Sequence, residues 1–319
     1  MKPLPRLQDM PDLIKRRIST HLHSYLDKMS LINCSPRFKL ALDPPKFHAQ
    51  TLKVEFHERD VIQLEFEEDA DNSLIRKYSD KMRGCVVVTG KQELFWQAGY
   101  LYLVIRDIKL IVENPNLTLK RFHLLIEPKS ANEWYDTDRR KFLSELQRVL
   151  ISSKLKASEF KMRYAGGQEE VLRVLPHLDS DFLEILKLDD QGEAGKSQVD
   201  KIFELEHLKP KMKLEMSDAP GLEIEKWWNW PETAMHLRFT KIEDLPRLIT
   251  HFRTSPDFEQ CEMYTEFEDE DILNKMGEDG LMRIYDSSFE VNLPETGLER
   301  EVTVIIESGY IEIYIPYQD

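Results

Sequence analysis

Three stretches of the sequence carry residue types that bind phosphate or metal ions. Residues 192–197 read Gly-Glu-Ala-Gly-Lys-Ser, which resembles the end of a phosphate-binding loop. Such a loop needs a glycine where this chain has Asp190, and a carboxylate repels phosphate. His21 and His23 are two residues apart and do not share a helix face. The acidic run 266–271 lacks the central glycine of a calcium loop. We therefore expect neither a metal nor a cofactor.

Composition limits the function further. The 319 residues carry a net charge of −14, which disfavours a nucleic-acid partner. No apolar run approaches the roughly 20 residues of a membrane span, and no apolar signal region opens the sequence. We expect a protein of the cytosol or nucleus. Cys34, Cys85 and Cys261 are then reduced thiols.

Residues 1–45, the first predicted domain, contain an amphipathic helical pattern. Pro11 suits the first turn of a helix, where its missing N–H is no loss. Apolar residues at intervals of four then form one stripe, which Leu13 widens. They are Ile14, Ile18, Leu22 and Leu26. Residues 15–17 are basic and expected on the solvent side. Such a helix either packs on its own domain or binds another protein.

Residues 46–116 are predicted to be a strand-rich connecting segment packed on the next unit. Apolar and polar residues alternate over Leu52–Phe56 and again over Val61–Phe66, which predicts a hairpin of two half-buried strands. Gly84–Thr89 is predicted to be another strand. Tyr100–Val112 is apolar at mixed spacing and is predicted to be a helix.

From residue 117 to residue 319 a short apolar strand alternates with an amphipathic helix. Each strand has the form apolar–variable–apolar. The triplets are 122–124, 160–162, 186–188, 214–216, 237–239, 261–263 and 282–284. Strand–helix repeats of roughly 20–29 residues are typical of a leucine-rich-repeat solenoid, although the consensus asparagine is missing here. A doubly wound sheet is the alternative, but it needs a glycine-rich phosphate turn after an early strand. The end of the chain predicts a hairpin that caps the solenoid.

The outward-pointing strand residues of the repeats form the predicted target-binding surface. They are Lys161, Arg163, Lys187, Asp189, Lys213, Glu215, Arg238, Glu262 and Tyr264. Their mixed charges favour a protein target over a polyanion. Trp227 and Trp228 lie in a Trp-Trp-Asn-Trp run, which either fills a gap between repeats or contacts the target.

The order of residues near the N-terminus resembles an F-box, a helical motif that docks a protein onto a ubiquitin-ligase scaffold. The resemblance departs from the motif at Pro36, which lies where the third helix would run, and a second arginine after Arg37 is absent. The residues that the resemblance implies for adaptor binding are Leu7, Met10, Pro11, Leu13, Ile14, Ile18, Leu22 and Leu26.

The region from about residue 117 to residue 290 resembles the FTH domain, the C-terminal module of a large nematode family of F-box proteins. Segments that carry the resemblance are Val171–Leu178, Leu183–Leu188, Ile202–Lys209 and Ser255–Cys261. The resemblance implies an α+β or α/β fold: a short helical F-box, then an irregular leucine-rich-repeat-like solenoid with a hairpin cap. It implies that the F-box binds a Skp-type adaptor, and through it a cullin, while the C-terminal module binds a protein target for ubiquitination. The resemblance thus implies an adaptor that is not itself an enzyme.

Two alternatives remain open from the sequence. One is a repeat protein whose F-box has decayed and which sequesters its target without ubiquitination. The other is an enzyme with a site in residues 46–116, which would need a pocket with clustered, perturbed carboxylates or histidines.

Overall fold

A computed structural model gives the fold of the chain. It describes residues 11, 15–16, 18, 22, 25–33, 46–57, 61–126, 133–191, 199–209, 212–216, 232–235, 244–256, 258–264, 272, 289–293, 302–307 and 310–315. The chain is a mixed α/β protein, as the sequence predicts, but its described part is dominated by β-sheet and has fewer helices than the predicted alternation of strand and helix. It divides into two compact units: unit 1 comprises residues 1–158 and 173–182, and unit 2 comprises residues 159–172 and 183–319.

Unit 1 contains six strands and three helices in its described part. In chain order these are α1 (Tyr25–Asn33), β1 (Phe47–His57), β2 (Val61–Glu67), β3 (Ser73–Lys81), β4 (Gly84–Thr89), β5 (Gln92–Trp96), α2 (Tyr100–Val112), β6 (Leu117–Ile126) and α3 (Glu133–Ser153). The strand order is β6-β1-β2-β3-β4-β5. The β6–β1 pair is parallel, and the other pairs are antiparallel.

The core of unit 1 follows from the alternation along its strands. Leu52, Val54 and Phe56 of β1 are buried and the residues between them are half-buried, so one face of the sheet is covered. On that face the ring of Phe56 lies 5.2 Å from the ring of Phe142 of α3. The predicted β1–β2 hairpin, strand β4 and helix α2 are all confirmed. The sequence predicts a domain boundary after residue 116. That position lies inside unit 1, because β6 begins at Leu117 and pairs with β1.

Helix α1 packs onto unit 1. Tyr25, Met29 and Ile32 fall on one helix face and are all buried. The Tyr25 hydroxyl donates to the Ile111 carbonyl of α2 at 2.7 Å, and its ring stacks on Phe47 at 4.5 Å. The buried face of α1 therefore holds the helix to the rest of its unit.

One basic residue ahead of α1 is buried, although the sequence predicts that it is exposed. Lys15, expected on the solvent side, is only 4% exposed. Its backbone N–H donates to the Pro11 carbonyl at 3.1 Å, whereas Arg16 is exposed as expected.

Unit 2 contains eight strands and three short helices in its described part. They are β7 (Lys156–Tyr164, which begins in unit 1), α4 (Gln168–Val171), β8 (Ile185–Asp190), α5 (Asp200–Phe203), β9 (Lys213–Met216), β10 (Glu232–Met235), α6 (Asp244–Thr254), β11 (Gln260–Tyr264), β12 (Phe289–Leu293), β13 (Val302–Glu307) and β14 (Tyr310–Tyr314). The strand order is β7-β8-β9-β10-β11-β14-β13-β12, in which β7 to β11 are parallel and the rest antiparallel.

Most predicted strand triplets lie in observed strands. Strands β6, β7, β8, β9 and β11 contain them, and the C-terminal hairpin is confirmed as β13–β14. The triplets at 237–239 and 282–284 lie outside the described residues. Between β9 and β11 the observed strand is β10, which ends at Met235. Within the described residues, no helix is long and apolar enough to cross a membrane.

Candidate binding surface

A row of residues crosses the sheet of unit 2 at one register position. Lys161 of β7 pairs with Lys187 of β8, which pairs with Glu215 of β9. Glu215 pairs with Ala234 of β10, and Ala234 with Glu262 of β11. The flanking residues in β7, β8, β9 and β11 are buried, whereas the four charged members of the row are half-buried. Alternation therefore directs these charged residues to the accessible face of the sheet.

Ion pairs connect neighbouring strands on this face. Arg163 Nε lies 2.8 Å from Asp189 Oδ2, and Lys187 Nζ lies 3.0 Å from Glu215 Oε1. Lys213 Nζ reaches the same Glu215 oxygen at 3.9 Å. These side chains are between a fifth and two-fifths exposed, so each pair stabilises the fold by no more than about 1 kcal/mol. The charges remain accessible to a partner.

The sign of charge changes across the face. The basic end lies on β7 and β8, where Lys161, Arg163 and Lys187 outnumber the carboxylate of Asp189, which pairs with Arg163. The acidic end lies on β11 and β14, where Glu262 stands directly opposite Glu312. Opposed like charges destabilise a strand pair.

A neighbouring amide compensates the two opposed carboxylates. Gln260 Nε2 donates to Glu262 at 3.1 Å and to Glu312 at 2.8 Å. The amide holds both carboxylates in place without neutralising them.

The structure brings together most of the predicted target-binding residues. Lys161, Arg163, Lys187, Asp189, Lys213, Glu215 and Glu262 share this face. Tyr264 ends β11, while Arg238, Trp227 and Trp228 lie outside the described residues. The residue that continues the row on β10 is Ala234, a position that the triplet at 237–239 did not indicate.

Sequence reasoning missed Gln260 and Glu312 as members of the surface. The alternation over Tyr310–Tyr314 already placed Glu312 on the polar side of a hairpin. The pairing of β14 with β11, which brings the two residues together, leaves no signal in the sequence.

The predicted adaptor-binding residues are only partly described. Pro11 is exposed, Ile18 and Leu22 are half-buried, and Leu26 belongs to helix α1. Leu7, Met10, Leu13 and Ile14 lie outside the described residues.

Unit 1 holds a buried carboxylate, Asp107 of α2. It accepts hydrogen bonds from Arg76 of β3, from the Tyr78 hydroxyl at 2.7 Å, and from Arg106 Nε at 2.9 Å. Burial, together with the Asp107 charge, raises the pKa of Tyr78 above its ordinary range. All contacting groups are donors, so the cluster anchors α2 on β3. Among the described residues there is no group of three or more potential metal ligands.

One family model matches the chain. Residues 140–276 match the FTH domain, a stretch that includes the parallel strands β7 to β11 and therefore most of the charged face. The match supports an FTH-domain protein, as the resemblance predicts. No curated protein and no solved structure matches the chain at a significant level.

Proposed function

We propose that this chain is the substrate-recognition subunit of an SCF-type ubiquitin ligase, a non-enzymatic adaptor in the cytosol or nucleus. The observation that carries the proposal is the FTH match over residues 140–276, behind an N-terminal residue order that resembles an F-box. In this proposal the N-terminal segment binds a Skp-type adaptor and through it a cullin. The chain itself supplies proximity, which raises the effective concentration of target beside the ubiquitin-carrying enzyme.

The parallel strands of unit 2 support a repeat-like role for the FTH region. Strands β7 to β11 neighbour one another in chain order, which is how stacked strand–helix repeats of a solenoid are arranged. The helices between them are short: α4 and α5 have four residues each and α6 has eleven. We therefore propose an irregular, leucine-rich-repeat-like stack rather than a regular horseshoe.

The charged face of unit 2 defines the kind of target. A complementary protein would place acidic residues against Lys161 and Lys187, and basic residues against Glu262 and Glu312. Electrostatic matching of this kind sets orientation and association rate, so target capture should weaken as salt is raised.

Copurification with a Skp-type adaptor tests the ligase assignment. The wild-type chain should retain the adaptor, and a variant with Leu13, Ile14 and Ile18 changed to Glu should lose it. Ile151→Glu, an exposed apolar residue of α3 changed in the same way, should retain it. Equal adaptor recovery with all three proteins would reject the docking assignment.

Sequestration of a target without ubiquitination is the second candidate. It is favoured by the burial of Tyr25, Met29 and Ile32 against unit 1, because those side chains cannot also contact an adaptor. Cullin inhibition separates the two candidates. Target abundance should rise on inhibition if the chain delivers its target for degradation, and should stay constant if the chain only sequesters it.

A further inference from the structure

Strand β5 forms an exposed edge of the unit 1 sheet. It stands last in the strand order and, among the described strands, pairs only with β4. All five of its residues are exposed, including Leu94 and Phe95 at 55% each and Trp96 at 42%. An edge strand offers backbone N–H and C=O groups to an incoming strand, and folded proteins usually protect such edges with charge or cover.

The apolar side chains of β5 lie on both faces of this edge. Leu94 pairs with Val87, which in turn pairs with Tyr78, the residue bonded to Asp107 of α2, so Leu94 lies on the helix-covered face. The helix does not cover the edge, however, because Leu94 remains 55% exposed.

The rings next to this edge add to its exposed apolar area. The Arg106 guanidinium lies 5.4 Å from the Trp96 ring centroid, which leaves the ring partly accessible. Phe95 lies on the opposite face, paired with Val86. A concentration of large apolar side chains of this kind marks an interaction site.

Basic residues lie at both ends of β5. Lys91 directly precedes the strand. At the other end, Gln97 directly follows the strand and lines a depression of about 480 Å³. Lys81, the last residue of β3, and Arg83, in the β3–β4 turn, line the same depression. Residues 73–96 contain five basic side chains and two acidic ones, Asp80 beside the depression and Glu93 within β5. One of the basic residues, Arg76, pairs with Asp107, so four basic side chains remain against two acidic ones in a chain whose net charge is −14. This local basic excess suits an acidic partner.

The backbone at Arg83 supports a role for its side chain. Arg83 has φ +74°, a left-handed conformation that only glycine adopts without strain. The next hairpin turn, between β4 and β5, also contains a residue in the left-handed conformation, and there it is a glycine, Gly90, at φ +58°. Strained non-glycine residues concentrate at functional positions.

We propose that β5 binds an extended, acidic peptide segment of a partner protein, which joins the sheet as an added strand. Apolar residues at alternate peptide positions contact Leu94 and Trp96, and acidic residues near the peptide ends pair with Lys91 and Arg83. This site lies in unit 1, outside the FTH match, and does not depend on ubiquitin-ligase function.

Selection from a phage-displayed library of random peptides, each about ten residues long, on the full chain tests the proposal. Counter-selection uses Leu94→Glu. Enriched peptides should alternate apolar residues and carry Asp or Glu near their ends. A synthetic representative should bind Leu94→Glu at least roughly tenfold more weakly, measured by fluorescence anisotropy. Ile151→Glu is the matched control, since Ile151 is 56% exposed against 55% for Leu94, and it should bind like wild type.

Arg83→Gly separates binding from folding. It relieves the left-handed backbone, so thermal stability should stay equal or rise, while peptide affinity falls about two- to fivefold, the range for one exposed ion pair. Unchanged affinity would argue against the terminal charge contact.

Four other results would overturn the proposal. The first is that no peptide is enriched, and the second is that the enriched peptides are basic. The third is that Leu94→Glu and the wild-type chain bind the peptide equally. The fourth is that single-stranded RNA displaces the bound peptide at a lower concentration than unlabelled peptide does. A dimer in solution that Leu94→Glu disrupts would assign the edge to a second copy of the chain and would also overturn it.

Discussion

The two units differ in how their polar residues are compensated. In unit 1, Thr51, Glu67 and Arg121 form a closed network: the Thr51 hydroxyl donates to Glu67 at 2.8 Å, and Arg121 donates to both. In unit 2 Arg163 and Lys187 also pair across strands, but Lys161 lies at one end of the face, and Glu262 and Glu312 lie opposite each other at the other end. Unit 1 uses its charges for cohesion, whereas unit 2 leaves charge available to a partner.

The difference extends to burial and to apolar exposure. Unit 1 buries an ion cluster around Asp107 and exposes apolar residues at β5. The ion pairs of unit 2 are half-exposed, and the face that carries them is polar. Mutations in unit 1 should therefore change stability strongly, and charge changes in unit 2 should change mainly association.

Removal of the Asp107 carboxylate should give the largest effect. Asp107→Ala leaves Arg76, Arg106 and Tyr78 without their shared acceptor. We expect a loss of about 2–3 kcal/mol in the free energy of unfolding, near the low end for a broken buried pair because both arginines are partly exposed. Urea denaturation measures it, with Asp189→Ala in unit 2 as the comparison, expected to lose less than about 1 kcal/mol. Equal losses would remove the contrast between the units.

Strand β5 depends on a close approach to β4 at Gly84. A Cβ at Gly84 would lie 2.2 Å from the Trp96 carbonyl oxygen and 2.7 Å from the Phe95 ring. Gly84→Ala should therefore cost about 1–3 kcal/mol by overpacking and increase hydrogen exchange in β5. Gly99→Ala is the control, since no atom lies within 4 Å of its added Cβ, and its stability should change by less than about 0.5 kcal/mol. Similar losses in both variants would contradict the packing of β5.

Alkaline pH should destabilise unit 1 through Tyr25 and Tyr78. Burial raises the pKa of both phenols well above the ordinary value of 10.0. Above about pH 10 only the unfolded state loses these protons, so the free energy of unfolding falls by about 1.4 kcal/mol per pH unit for each phenol. Below that pH the two groups have no effect.

Tyr25→Phe should halve the contribution of these phenols to the fall in the free energy of unfolding with pH. Denaturation measured at several alkaline pH values gives this slope. Tyr102→Phe, at an exposed position of α2, is the matched control and should leave the slope unchanged. An unchanged slope in Tyr25→Phe would mean that its hydroxyl is not buried in solution.

The smallest effect is expected on the charged face of unit 2. Glu215→Gln removes the negative charge that pairs with Lys187 and Lys213, and should cost less than about 1 kcal/mol, with the cost shrinking as salt is raised. Thermal denaturation at low and high salt measures it. A loss that is larger and independent of salt would show that this face contributes to cohesion as unit 1 does.

Local sequence pattern predicted many of the elements. Helix α2 and strand β4 begin and end where the pattern placed them, and the apolar positions Leu245, Leu248 and Phe252 of α6 are buried as its spacing indicates. Strand β5 was missed, because its five exposed residues show no alternation of apolar and polar side chains. Strand β3 was missed as well, because six of its nine residues are polar and its apolar residues Leu74 and Ile75 are adjacent, so its sequence shows no sustained alternation.

The sequence by itself determined which residues alternate along each strand, and hence that charges such as Lys187 and Glu215 would share a face of a mixed α/β protein. It also determined the resemblance that the FTH match supports. Only the tertiary structure decided which strands are neighbours: the β1–β6 pair, the β11–β14 pair and the exposed edge at β5. The physical reason is that alternation is a property of adjacent residues, whereas strand register and sheet edges depend on contacts between segments that are distant in the chain. Those contacts form only when the whole chain packs.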